Sequence, residues 1–250
     1  MKHAERQIET WLLGQTHRLF IVSPDFDDIE IVHQMRVASR RLRVGLEFFA
    51  ACFEPRELKQ LLQQLRRLGK ALGAVRVLDV NLTMLSTANG CAALKRKLTV
   101  ERKARLAELC ILYRATMTAK IGSRVETLVM QRRGKTDGRL ALGELRRQLR
   151  RCLKRFDTKR GTEAFHRLRI AAKKYRYGLE IVGATKRIQA LKQLQELMGR
   201  CHDVEVLMER LPSGALKKHF AKEHRRQYDA VQKFLDGSRR WVKKVKLDHE

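Results

Sequence analysis

The chain has 250 residues and carries 55 Lys+Arg against 27 Asp+Glu, a formal net charge of +28. With 44% hydrophobic residues it has the means to build a real core, which excludes a disordered polycation. Such an excess of one sign opposes compaction by self-repulsion, and a polyanionic partner explains it economically. Charge alone does not choose among DNA, RNA, inorganic polyphosphate and an anionic membrane.

Apolar residues recur with a 3.6-residue period almost throughout, and alternating strand patterns are nearly absent. The expected class is therefore all-α, built of long helices. The first stretch, about residues 2–20, reads as an amphipathic helix without the apolar core and cleavage site of a signal peptide. No apolar run approaches the roughly 20 residues that span a bilayer. Cys52, Cys91, Cys110, Cys152 and Cys201 are odd in number and scattered. They read as reduced, packed thiols of a cytoplasmic protein, not as metal or redox groups.

The loop Ser23-Pro24-Asp25 leads to a helix expected over about 26–52. Pro55 suits the first turn of the next helix. Gly73 is expected to break that helix, with a shorter one following to about 87. Asn89-Gly90 turns the chain into one long helix over about 91–131. Arg133 to Gly138 reads as the boundary between two halves, 1–133 and 134–250. The second half repeats the order, with helices over about 139–156, 161–183, 186–199 and 202–210. Pro212-Ser213-Gly214 precedes a last long helix, and a basic tail, Trp241 to Glu250, ends the chain.

The second helix contains VHQMRVASRRLRVGLEFF, residues 32–49. It returns 133 residues later as FHRLRIAAKKYRYGLEIV, residues 165–182. His33, Arg36 and Arg43 match His166, Arg169 and Arg176. Arg40 and Arg41 become Lys173 and Lys174. Leu65, Leu68, Gly73, Asp79 and Val80 match Leu191, Leu194, Gly199, Glu205 and Val206 at an offset of 126. Self-similarity of this length implies duplication of a helical bundle, not a stacked solenoid. Two four-helix bundles are expected.

On a wheel of about 100° per residue, Met35, Ala38, Leu42, Leu46 and Phe49 form the core stripe. His33, Arg36, Arg40 and Arg43 share the opposite side, with Glu47 beyond and Arg41 off the line. In the second copy Leu168, Ala171, Tyr175, Leu179 and Val182 face inward. His166, Arg169, Lys173 and Arg176 line up outward, with Glu180 beyond. Like charges at this spacing repel and weaken an isolated helix. From His33 to Arg43 is roughly 15 Å along a helix, and a strand with a phosphate every ~3.4 Å would place about four there. Arginine grips phosphate oxygens in bidentate fashion, and lysine supplies a mobile point charge. A charge run on a helix is ordinarily a solvated face. Repetition of the run in phase with a repeated core stripe favours an anion site. Bound phosphate would also favour protonation of the two histidines, so binding is expected to tighten as pH falls.

The paired motifs, HQMRVASRRLR with LGAVRVLDV and HRLRIAAKKYR with MGRCHDVEV, resemble the CHAD domain, the conserved histidine α-helical domain. The resemblance covers nearly the whole chain, which it makes a single CHAD domain of two pseudo-symmetric bundles with a central basic groove or pore. It implies binding of inorganic polyphosphate and association with polyphosphate granules. It assigns the contacts to His33, Arg36, Arg40, Arg41, Arg43, His166, Arg169, Lys173, Lys174 and Arg176. Arg66, Arg67, Lys70, Arg76, Lys192, Arg200 and His202 would extend the surface. Some relatives carry a CYTH-type triphosphatase domain beside this one. Its Glu-x-Glu-x-Lys signature is not found here, and the chain looks like a stand-alone member. Val77 stands where the family often has an acid, so an interhelix contact is expected to be missing from the first half.

Nucleic acid is the competing and weaker polyanion, and a granule scaffold is a further alternative. Aromatics are only 6% and nearly absent from the basic stripes, which suits a partner without bases. No enzyme, cofactor or metal is expected: there is no phosphate-cradling glycine loop and no His-Glu-x-x-His. Cys201-His202-Asp203 would point in different directions on a helix, and packing explains it best. Glu47 and Glu180 are expected to hold arginine side chains rather than a metal. The basic tail is expected to be a solvated terminus.

Overall fold

A computed structural model describes residues 2–133, 138–184 and 188–237. The tail Trp241 to Glu250 and residues 134–137 of the expected boundary lie outside them. Every regular element among the described residues is helical, as the sequence requires. The chain divides into two compact units, Met1–Thr136 and Asp137–Glu250. The first holds α1 (Lys2–Leu19), α2 (Ile29–Phe48), a short 3-10 turn (Ala50–Cys52), α3 (Pro55–Leu85), α4 (Ala92–Thr118) and α5 (Ile121–Met130). The second holds α6 (Gly138–Thr158), α7 (Thr162–Ile181), α8 (Ile188–Met208) and α9 (Ala215–Gly237).

Local chemistry sets the helix ends. Asp28 caps α2 by accepting from the Glu30 amide at 2.7 Å. Pro55 opens α3, as expected, while the Glu54 carboxylate accepts from the Arg56 and Glu57 amides. Gly183, at φ +72°, closes α7 in a Schellman turn. There the Ala184 amide returns to the Leu179 carbonyl and the Gly183 amide to Glu180.

Three helix boundaries differ from expectation. α3 runs unbroken through Gly73, and α8 runs unbroken through Gly199. A single helical glycine costs only about 1 kcal/mol, and the leucines on either side continue one buried stripe. Conversely, the long helix expected to about 131 breaks at Lys120, which adopts a left-handed φ of +50°. Ile121, Val125, Leu128 and Val129 of the separate α5 are thereby turned into the core. The first unit thus has five α-helices, and the second has four among the described residues.

The core stripe of α2 is buried as expected: Met35, Leu42 and Leu46 are fully covered. They meet Leu61, Leu65, Leu68, Leu72 and Val75 of α3, which are equally covered. Removing each such side chain from water stabilises the fold by about 1.5–3 kcal/mol. The second core gathers Leu149, Leu153 and Phe156 of α6 with Leu168, Tyr175 and Leu179 of α7. Leu191, Leu194 and Met198 of α8 and Val231 of α9 complete it. Val182, expected on the inner stripe, is the C-cap residue of α7 and only half-buried, because the helix has ended.

A buried ion pair ties α3 to α4. Arg102 Nε donates to Asp79 Oδ1 at 2.6 Å, and the same guanidinium reaches Asp27 before α2. The tie in this unit therefore lies at Asp79, two residues beyond Val77. All five cysteines are free thiols, with Cys52, Cys91 and Cys201 buried. No described helix is long and apolar enough to cross a membrane.

Candidate anion-binding site

Two basic rows, one in each unit, lie beside a helix–helix groove. In the first unit α2 and α3 run antiparallel. Contacts step up α2 as they step down α3. His33 feels the charge of Arg76, and Arg36 lies over Gly73. Ser39 and Arg43 lie over Gly69, and Glu47 accepts from Arg66 at 2.9 Å. The row is therefore not an open solvated face. His33, Arg36, Arg40 and Arg43 are half-buried, and they flank the core stripe instead of standing opposite it.

The glycines of α3 face the row, and one of them makes a close approach. A methyl at Gly69 would sit 2.8 Å from Ser39 Oγ and 3.5 Å from Arg43 Nη2, and one at Gly73 would sit 3.5 Å from Arg36 Nε. Only the Ser39 contact is closer than ordinary packing, so it is the bare backbone of Gly69 that lets Ser39 of α2 approach α3. Burial holds Arg43 below its ordinary pKa, with Arg66 and Arg40 adding to it and Glu47 opposing. His33 is also held below its ordinary 6.5, first by burial and then by Arg76, with lesser contributions from Arg36 and Arg40. Glu30 pulls the other way. The buried His33 Nδ1 finds no hydrogen-bond partner among the described residues.

Arg41 lies off the row. With His33 it lines a cavity of ≈ 440 Å³ on the α1 side of α2, whose other walls include Gln15, Arg18 and Glu30. His33 therefore borders both features.

In the second unit α7 and α8 are antiparallel in the same sense. The His166 and His202 rings lie 5.9 Å apart at one end. At the other, Arg176 Nε donates to Gln195 Oε1 at 2.8 Å, and Gln195 Nε2 donates to the Ala172 carbonyl at 3.0 Å. Arg176 is further held by an ion pair with Glu180 and lies 4.6 Å from the centre of the Tyr177 ring. Glu180 thus holds an arginine of its own row, whereas Glu47 takes Arg66 across the groove. Arg169, Lys173 and Lys174 are half-buried, and His166 is exposed.

Of the wider basic set, Arg76 and His202 are brought against the two histidines, and Arg66 joins through Glu47. Arg67, Lys70, Lys192 and Arg200 are exposed. The supporting roles of Gly69 and Gln195 were not read from the sequence. The 126-residue offset places them at equivalent positions, one turn before Gly73 and Gly199, and that was the available signal.

Cys201 and His202 point apart. Cys201 Sγ lies 3.4 Å from His224 Nε2 on α9, while His202 lies 3.6 Å from Glu205 and faces His166. Burial, aided by Glu205, pushes the Cys201 thiol up to about 11, which favours the protonated form near neutral pH. Among the described residues no group of three or more His, Cys, Asp or Glu side chains is placed to hold a metal ion.

The arrangement can be compared with known proteins. The solved CHAD domain from the plant Ricinus communis is 23% identical, with a TM-score of 0.64 over 98% of this chain and 87% of that one. PptA from Streptomyces chartreusis is 14% identical, with a TM-score of 0.70 over 96% of this chain and 98% of that one. Both are likenesses of fold. No curated protein matches the chain. The CHAD domain profile matches residues 6–212, the span that contains both histidine–arginine rows and both helices packed beside them, and the chain belongs to the CHAD domain family.

Proposed function

We propose that this protein binds inorganic polyphosphate along the α2 and α7 rows without transforming it, and that this binding brings it to polyphosphate granules in the cytoplasm. One observation carries the reading. Arg36 and Arg43 lie over Gly73 and Gly69, and with Arg40 they form a half-buried single file of guanidinium groups with no Phe, Tyr or Trp in the row. A single-file chain of phosphates matches such a row, and it asks for charge and bidentate donors but no stacking surface. Binding without turnover is part of the same proposal, and the predominance of cationic donors in the row supports it.

Calorimetric titration with polyphosphate tests this. Arg36→Ala, Arg40→Ala, Arg169→Ala and Lys173→Ala combined should weaken binding more than 100-fold, since each charge-assisted bond is worth about 1.5–3 kcal/mol. Unchanged affinity would rule out the rows as the site. Phosphate release in the presence of magnesium would overturn the non-catalytic part.

A further inference from the structure

A second cationic surface stands on α6, away from the α7–α8 groove. From Arg146 to Arg155 this helix carries Arg146, Arg147, Arg150, Arg151, Lys154 and Arg155 and no acid. Its core residues Leu149, Leu153 and Phe156 are buried, Arg146 and Arg150 are half-buried beside them, and Arg147, Arg151, Lys154 and Arg155 are exposed. At about 100° per residue the six cations resolve into two rows of three, each spaced by four residues. One is Arg146, Arg150 and Lys154. The other is Arg147, Arg151 and Arg155. The rows stand about 100° apart around the helix and each runs about 12 Å along it.

The exposed part of this face carries ion pairs. Glu144 pairs with Arg147 at 2.8 Å and Arg151 at 3.1 Å, and Glu163 lies 3.9 Å from Arg155. All these groups are at least 44% exposed, and exposed pairs are worth at most about 1 kcal/mol, so phosphate oxygens can replace them. Several cation pairs at spacings of three and four weaken the helix on its own.

We infer that the outer face of α6 is a second binding surface, for the two phosphate backbones of a nucleic-acid duplex. Width decides the ligand class. A single-file phosphate chain can meet one row only. A helix about 10–12 Å across fits a major groove about 12 Å wide, where each row meets the backbone on its own side. The face has no aromatic side chain on which an unpaired base could stack, which favours duplex over single strand. Contacts of this kind read phosphate, not sequence.

The test uses the full chain and a random-sequence DNA duplex of about 20 base pairs, titrated by fluorescence anisotropy over a salt series. Each phosphate contact contributes about 0.9 to the slope of log K against log salt. Combining Arg147→Gln, Arg151→Gln and Arg155→Gln should lower that slope by about 2–3 and weaken duplex binding at least 10-fold at about 0.1 M salt. Polyphosphate affinity should stay within about twofold, and an unchanged thermal melt should show that the fold is intact. The four-residue variant of the α2 and α7 rows should do the reverse. Equal losses of duplex and polyphosphate in the α6 variant would overturn the inference, as would an unchanged duplex slope or tighter binding of single strands. If instead only the row variant fails to lose polyphosphate, the α6 surface stands and the polyphosphate reading falls.

Discussion

Gln195 on α8 accepts the Arg176 Nε proton at 2.8 Å and donates its own amide to the Ala172 carbonyl one turn earlier on α7. One side chain thus fixes an arginine of the row and ties the two helices together. Arg176 is held in one orientation, because Glu180 and the Tyr177 ring also contact it from other directions. Replacing Gln195 by Ala removes both bonds and leaves a half-buried guanidinium short of an acceptor. The expected loss is about 1–3 kcal/mol of stability, measured by urea unfolding, with weaker polyphosphate binding at pH 7. A variant as stable as the wild type would show that the two bonds are not held in solution.

Three glycines should not all respond alike to the same change. A helical Gly→Ala substitution is worth about 1 kcal/mol of stabilisation where space allows. At Gly199 a methyl meets nothing within 4 Å, so Gly199→Ala should raise stability by about that amount. At Gly73 it would touch Arg36 Nε at ordinary contact distance, so Gly73→Ala should also raise stability with Arg36 left in place. At Gly69 it would meet Ser39 Oγ at 2.8 Å, and Ser39 is fully buried. Gly69→Ala should therefore lose the gain and cost about 1 kcal/mol more, in the manner of an overpacked core. Equal stabilisation at Gly69 and Gly199 would contradict the close approach of α2 and α3.

His33 predicts a pH dependence with a definite sign. Burial, then Arg76, hold it below 6.5, against the opposing pull of Glu30. Arg36 and Arg40 face it from its own helix, and Gln15 and Arg18 of α1 share its cavity. Below the ordinary pKa the unfolded chain binds the proton more readily than the folded one. This contribution to stability is therefore complete above about 6.5 and is lost as pH falls towards the lower folded value. Bound polyphosphate reverses the local field, so binding should take up a proton and tighten as pH falls. Calorimetry in two buffers of different ionisation enthalpy measures that uptake. Identical uptake in His33→Gln would assign the proton elsewhere.

Much of this was legible before any coordinates. Helical periodicity announced an all-α chain, because burying one face of a helix imposes its period on the apolar residues. The same wheel separated Met35, Ala38, Leu42 and Leu46 from the cations, and it set Arg41 off the row. The doubled motif carried the family resemblance. Glycine misled at positions 73 and 199, because conformational freedom marks where a helix can break and not whether packing lets it. Lys120 misled in the opposite sense: no local signal demands its left-handed turn, which the burial of α5 imposes.

What the amino-acid order determined alone was composition, period and face: which residues are helical, which turn inward and which carry charge together. Only the tertiary structure decided how deep the charges sit and what they rest on. A wheel knows one helix, but the seat of Ser39 against α3 depends on Gly69, and the orientation of Arg176 on Gln195. Those are properties of two helices in contact, and their register is set by the packing of both cores.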